Sequence, residues 1–386
     1  MPDMSQAPIG RSETGDPLLL TPGPLTTSKT TKQAMVHDWG SRDATFLAAN
    51  AAMLKRIAAM AERADSHVTV PVQGSGTFAV EAMITSMVPR GGKLLLAING
   101  AYGVRARKIA DIAGRATAAV EFAEDRPVDP AAVDAALAAD ASITHVFVVH
   151  CETTSGVLNP VDAVAKVVAA RGRKLLVDAM SAFGAVGLAR DTKYDALAAS
   201  SNKCIEGVPG LGFVVCDKAA IIAARGSATT LTLDLHDQWA NFEKTGQWRF
   251  TPPVHAIMGF SQALDEHDAE GGVAGRGGRY MRNCKVLVEG MRKMGFVTLL
   301  PDALQAPIIV TIHMPSDPKF VFQRFYDRLK ELGYVIYPGK LTVADSFRIG
   351  CIGRLNEEHM KGALAAIAAV MAEMGVSSGA PARKAA

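Results

Sequence analysis

Cysteine is scarce in this chain, charge is nearly balanced, and no apolar run is long. The five cysteines, Cys151, Cys204, Cys216, Cys284 and Cys351, are scattered without metal-ligand spacing. That pattern argues against a disulfide scaffold and against a bound metal, and it favours a reducing compartment. Lysine and arginine exceed the acids by only 3 among 386 residues, so charge gives no case for nucleic acid or an anionic membrane as the main partner. A small anion held by one or two arginines remains compatible with that balance. No stretch approaches the roughly 18 apolar residues of a membrane span. The polar start, MPDMSQAPIGRSETGDP, lacks the basic-then-apolar order of a signal peptide. A cytoplasmic protein is expected. Internal repeats, a Walker A loop and a GxGxxG fingerprint are also missing.

What the chain does contain is alternation. Val68–Val72, Lys93–Ile98, Ala118–Phe122, His145–His150, Lys174–Asp178 and Phe213–Cys216 are short runs rich in Val, Leu, Ile and Phe. Between them Phe78–Met87, Val104–Ile112, Pro130–Ala139 and Pro160–Arg171 have helical spacing, as does Asn50–Ala64 ahead of the set. Strands apolar on both faces and separated by helices predict an α/β fold with a mostly parallel, covered sheet. After residue 265 the character changes. A long helix over Arg276–Met294, strands over Gln305–His313 and Phe347–Ile352, and helices over Phe320–Leu332 and Asn356–Glu373 predict a smaller α+β domain. The expected division is a flexible leader (1–17), a large domain (18–265) whose first segment packs on the small one, a small domain (266–376) and a disordered tail (377–386).

Two segments carry the chemistry. In KLLVDAMSAFG an apolar strand ends in Asp178, and downstream Lys203 sits in the small, polar turn Ser201-Asn202-Lys203-Cys204. An aspartate directly after an apolar strand is costly without a partner. Taken alone, Asp178 also reads as a helix cap and Lys203 as a solvated surface lysine. Taken together they offer what pyridoxal phosphate (PLP) requires: a lysine for a Schiff base and a carboxylate to keep the pyridine nitrogen protonated. Gln73-Gly74-Ser75-Gly76-Thr77 lies between a strand and a helix, where the first helical N–H groups and two hydroxyls suit a phosphate or form an ordinary turn. Tyr102, between Gly100 and Gly103, stands at a strand exit as a ring to stack on the pyridine or as a packed loop tyrosine. His150 reads as a structural histidine, and Cys204 as a small residue in a tight site.

With these residues placed, the chain resembles the fold-type I PLP-dependent aminotransferases that include the alanine–glyoxylate and serine–pyruvate enzymes. The closer resemblance is to the 2-aminoethylphosphonate–pyruvate transaminase family. It is carried in order by LLLTPGPLTTS, DWGSRD, QGSGTFAVEA, NGAYG, HCETTSGVLNP, VDAMSAFG, SSNKCIEGVPG, WRFTPPVH, YPGK and FRIGCIG.

The resemblance implies a fold-type I transferase with a mostly parallel seven-stranded sheet in its large domain. It also implies transfer of an amino group from 2-aminoethylphosphonate to pyruvate. Lys203 matches the cofactor lysine, Asp178 the pyridine-nitrogen acid, and Ser75, Gly76 and Thr77 the phosphate cup. Tyr102 matches the stacking ring and Thr153 the contact to the phenolic oxygen. Thr251 matches a residue that reaches the cofactor phosphate of the neighbouring subunit, which makes a homodimer the expected unit. Arg348 matches the arginine that grips the acidic end of the substrate, and Gly23 lies in the family's substrate-binding loop. Arg42 remains either a second anion clamp or a structural ion pair. Two alternatives stay open: a transaminase of the alanine–glyoxylate or serine–pyruvate type, and a PLP-binding scaffold without turnover.

Overall fold

The computed structural model describes residues 8–342 and 344–382. Its centre is a sheet of seven strands: β1 (His67–Gln73), β2 (Lys93–Ile98), β3 (Ala116–Glu121), β4 (Ile143–Val149), β5 (Lys174–Asp178), β6 (Ala196–Ser200) and β7 (Leu211–Asp217). The spatial order is β1-β7-β6-β5-β4-β2-β3. Only β7 runs antiparallel to its neighbours. Side chains of the central strands alternate between two cores. Val146, Val148, Leu175 and Val177 enter one, while Phe147, Val149 and Leu176 enter the other. Both faces are covered, which is why these strands read as nearly unbroken apolar runs.

The strand order fixes where a ligand can lie. From β2 the chain moves outward to β3, then returns past β2 to β4 and continues through β5 and β6. A crevice therefore opens beyond the carboxyl ends of β2 and β4, the switch point at which open α/β sheets bind ligands. The segments leaving β1, β2, β4, β5 and β6 carry Gly74–Thr77, Asn99–Tyr102, His150–Thr153, Asp178 and Ser201–Lys203.

A third core lies around Leu287, Val310, Phe325, Phe347 and Val370. It joins the helices Gly272–Lys293, Phe322–Glu331 and Glu357–Met374 to a small antiparallel sheet of Ile309–His313, Ser346–Gly350 and Tyr337–Pro338. Leu18 and Leu20 belong to this core, and Leu18–Leu19 pairs in parallel with Tyr334–Val335. The amino-terminal strand thus packs on the carboxy-terminal layer.

Several expected boundaries shift, each for a local reason. The first long helix is Ala44–Met60, displaced towards the amino end because the Asp43 side chain accepts from the Thr45 N–H and caps it. β6 has no counterpart among the apolar runs, since Ala-Leu-Ala-Ala-Ser lacks the β-branched signature although all five residues are buried. The charged stretch Ala263–Glu270 forms the last turns and C-cap of the helix Val254–Ala269. Gln305–His313 becomes a strand only at Ile309, after a short 3-10 turn at Asp302–Leu304.

The leader and tail need correction within the described residues. Gly10 donates its N–H to Leu332 O, and Glu13 pairs with Arg354. Gly379 donates to Met294 O, and Ser316 to Ala380 O. The described parts of the leader and tail are therefore bonded to the fold, through partners that composition does not reveal. Residues 1–7 and 383–386 lie outside the described residues. No helix among those described is long and apolar enough to cross a membrane.

Asn159 is the joint between the crevice loops. Its amide group donates to Asn99 Oδ1 and Val149 O, and its carbonyl accepts from Asn99 Nδ2 and from the Val128 N–H. Asn159→Ala is predicted to cost about 2–4 kcal/mol, because several buried backbone and side-chain groups lose their partners together. Urea unfolding of the variant against the parent checks this.

Candidate active site

The turn after β6 is closed by short backbone bonds. The Ser201 N–H donates to Leu211 O, Glu206 to Lys203 O and Gly207 to Ser201 O, at 2.8–3.0 Å. Lys203 projects from it into the crevice, and its Nζ donates to Pro22 O at 2.6 Å. That approach requires a glycine next to Pro22: a Cβ on Gly23 would stand 2.8 Å from Lys203 Nζ and 3.0 Å from Asn202 O. Burial lowers the Lys203 pKa to about 8, against a smaller opposing pull from Asp178. A usable fraction of the amine is therefore neutral, and nucleophilic, near neutral pH.

Asp178 ends β5 almost fully buried, and its Oδ1 accepts from the Met180 N–H at 2.9 Å. Burial lifts its pKa to about 6, with Glu152 adding to the rise and Lys203 opposing it. No ion pair is made by Asp178 among the described residues. A cationic nitrogen in the crevice would satisfy it.

The helix Gly76–Met87 starts beside these groups. Ser75 is its N-cap, yet the Ser75 side chain makes no capping bond. The first N–H groups of the helix, left uncapped by that hydroxyl, suit an anion. Gly76 lets Met180 pack close, since a Cβ there would fall 2.2 Å from Met180 Sδ and displace that side chain. Arg105, which sequence reasoning passed over, donates to Thr77 Oγ1 at 3.2 Å and adds positive charge to the same cradle. An aldehyde-reactive amine, a desolvated acid and an anion cradle with an arginine match the three polar ends of PLP.

Tyr102 opens the helix Ala101–Ile112. Its ring is flanked by the Arg105 guanidinium at 4.9 Å and Lys340 Nζ at 4.2 Å from the centroid. Glu152, also missed in the sequence, lies buried at this helix start. It accepts from the Tyr102 N–H at 3.3 Å, the Thr154 N–H at 3.0 Å and the Thr154 hydroxyl at 2.5 Å. Burial raises its pKa despite those bonds. Next to it, Thr153 is buried and its carbonyl accepts from Arg348 Nη1 at 2.7 Å. Arg348 Nε donates to Pro338 O at 3.0 Å. The guanidinium is thereby oriented from two sides, with its remaining donors free of any protein carboxylate among the described residues.

Thr251 and Arg42 are not part of this cluster. Both are exposed, and neither makes a hydrogen bond or ion pair among the described residues. His150 is buried behind the site, its pKa pushed down to about 4 by desolvation. The Cys204 thiol donates to Ser181 O, and burial drives its pKa up to about 12. It is an inert small residue.

The fold and crevice define a class. The model of class-V aminotransferases matches residues 26–318, and the chain belongs to that family, whose cofactor is PLP. The pyridoxamine–pyruvate aminotransferase of Mesorhizobium loti superposes with a TM-score of 0.86 at 25% identity, covering 95% of this chain and 96% of that one. The alanine–glyoxylate aminotransferase of Nostoc sp. does so at 0.85 and 23% identity, covering 92% and 95%. Within the family, the chain is 52% identical over 362 residues to the 2-aminoethylphosphonate–pyruvate transaminase of Pseudomonas fluorescens Pf-5, covering 94% of this chain and 98% of that protein. The second such transaminase of Burkholderia lata is also 52% identical, over 93% of this chain and 96% of its own length.

Asp178 generates a prediction with a definite sign. Its folded pKa of about 6 lies above the ordinary value of 3.8. The folded apoprotein therefore binds more protons than the unfolded chain in that interval, and stability falls as pH rises through it, by up to about 3 kcal/mol. Asp178→Asn is predicted to stabilise the apoprotein at pH 8 and to flatten this pH dependence, while weakening PLP binding. Thermal melts of both apoproteins at pH 5 and pH 8, with PLP titrations, test it.

Proposed function

We propose that this protein transfers the amino group of 2-aminoethylphosphonate to pyruvate, giving phosphonoacetaldehyde and L-alanine in a ping-pong reaction. The observation that carries this reading is the near-full-length identity to transaminases of that name, joined to a buried amine and a buried acid facing one crevice. Bound PLP supplies an electron sink for the carbon that carries the amine.

The protein's own groups do the rest. Lys203 would hold the cofactor through its aldehyde carbon and, once released, would be the base that moves a proton at the substrate carbon. Asp178 would keep the pyridine nitrogen protonated, which would offset the desolvation of its carboxylate. Ser75, Gly76 and Thr77, with Arg105, would hold the phosphate. Thr153 would contact the phenolic oxygen. Tyr102 would supply the ring beside the pyridine. Arg348 grips the phosphonate in one half-reaction and the carboxylate of pyruvate in the other, its planar fork fitting both. Gly23 keeps the adjoining loop close.

Thr251, exposed in one chain, would reach the cofactor phosphate of a second copy, so the unit proposed is a homodimer. Arg42, without an ion pair among the described residues, is the candidate second anion clamp. The compartment proposed is the cytoplasm. Five free and buried cysteines suit a reducing compartment.

Purified holoenzyme is mixed first with 2-aminoethylphosphonate and then with pyruvate while its visible absorbance is followed. The cofactor band is expected to disappear and then return, with one alanine formed per cycle. A band that ignores the phosphonate but responds to L-alanine or L-serine assigns the site to α-amino acids. A band that responds to no amine marks a scaffold. Lys203→Ala is expected to abolish turnover while still binding PLP non-covalently. Arg348→Gln should weaken both substrates by about 2–5 kcal/mol, read as increases in both KM values.

A further inference from the structure

Glu206 is one of two non-glycine residues with positive φ among those described, at 64°. A left-handed backbone costs an L-residue about 1–2 kcal/mol, and glycine adopts it freely. An acid at this place, three residues after Lys203 and 2% exposed, needs a reason. Its N–H donates to Lys203 O at 2.8 Å, so the strained residue closes the turn that presents the lysine.

The Glu206 carboxylate extends the connection outward. Oε1 accepts from Arg279 Nη2 at 2.7 Å and from the Tyr280 hydroxyl at 2.5 Å. Arg276, fully buried, lies 3.5 Å from the same oxygen and donates to Cys204 O at 2.7 Å. Glu270 neutralises both arginines from the other side at 2.6 Å. Arg279 Nη1 also donates to Gly353 O and Leu355 O at 2.6 Å, and Tyr280 accepts from the Gly353 N–H at 3.3 Å. Gly353 follows Arg348 on the segment leaving strand Ser346–Gly350. One carboxylate therefore links the Lys203 turn to the chain that carries Arg348.

We infer that Glu206 is a positioning residue, whose carboxylate, held by Arg279 and Tyr280, fixes the Lys203 turn relative to the Arg348 strand. The separation between the amine-handling and anion-handling ends of the site is thereby set. The inference rests on the reading of Lys203 as the lysine that holds the cofactor.

A purely stabilising cluster fits the geometry less well. Glu206 Oε2 and Arg276 Nη2 are both buried without a partner among the described residues. Buried ion clusters with unmet groups are weak sources of stability, and their better-attested value is in fixing one arrangement. Glycine at 206 would relieve the backbone, so retention of an acid points to the carboxylate.

The test uses that contrast. Glu206→Gly keeps a backbone suited to the turn and deletes the side chain with its carboxylate. Apoprotein is mixed with PLP, and the rate of capture at Lys203 is followed. In that step the amine nitrogen adds to the aldehyde carbon and water leaves. The adduct is reduced with borohydride and located by peptide mass. Capture is expected to slow by about ten- to a hundredfold, the loss typical of a displaced reacting group. Glu206→Gln, which keeps an oxygen for Tyr280 and Arg279, should recover most of the rate. Capture by Glu206→Gly at the parent rate, whatever its melting temperature, overturns the inference. Should Glu206→Gly not fold, Tyr280→Phe removes a single bond and is measured in the same way. Slower capture supports the inference and an unchanged rate overturns it. Adduct at another lysine in the parent protein would instead overturn the reading of Lys203 itself.

Discussion

Desolvation of two opposite charges at the carboxyl edge of the sheet is the constraint on which the structure turns. Asp178 is held with a pKa lifted to about 6, and Lys203 with one lowered to about 8. Each shift records a charged form deprived of water. The protein does not pair them directly: Lys203 donates to a backbone carbonyl and Asp178 accepts from a backbone N–H. Under the proposed function both groups would meet a third component that carries a cation at one end and an aldehyde at the other. The surrounding fold serves to keep water out and that separation fixed.

The sheet does this through order rather than through any single contact. Because the connections after the paired strands β2 and β4 lead to opposite sides of the sheet, five strand exits deliver their loops to one crevice. Close approach then depends on missing side chains. Gly23 admits Lys203 Nζ, Gly76 admits Met180, and Gly100 admits the Glu152 carboxyl, where a Cβ would stand 2.4 Å from Cδ. Those glycines belong to the TPGP, GSGT and NGAYG segments, so the motifs that identify the family are largely the places where backbone must touch chemistry.

This explains what could be read in advance. Lys203 and Asp178 were legible because residue type and element end together restrict their use. Lys93–Ile98, Pro130–Ala139 and Lys174–Asp178 appear with the bounds their apolar runs and the Asp129–Pro130 cap suggest. β6 was not legible, since alanine carries no strand signal and only central burial makes it one. Arg105, Lys340 and Glu152 escaped for a different reason. Their roles depend on side chains reaching across helices and loops far apart in sequence, and periodicity carries no information about that. Glu206 was visible as a letter beside Lys203, but its meaning lies in a backbone angle and in partners some 70 residues away.

The charge around Tyr102 extends the same logic to substrate choice. Arg105, Lys340 and Arg348 converge there, and the Lys340 pKa is lowered by burial and then by the two arginines. Glu152, the carboxylate among them, is buried with its oxygens already occupied by helix and Thr154 donors. Positive charge therefore exceeds negative charge around Tyr102, and the excess is felt most at the buried Arg348, where Coulombic terms are strongest. Arg105 already donates to Thr77. Under the proposed function Arg348 and Lys340 would be the cations left for the substrate. Two cations suit a dianionic phosphonate better than a monoanionic carboxylate, because the second charge of the ligand relieves repulsion that the first leaves in place. A site built for an α-amino acid would need only the arginine. In the proposed reaction, the cation beyond Arg348 would be the feature of this crevice that favours phosphonate over carboxylate.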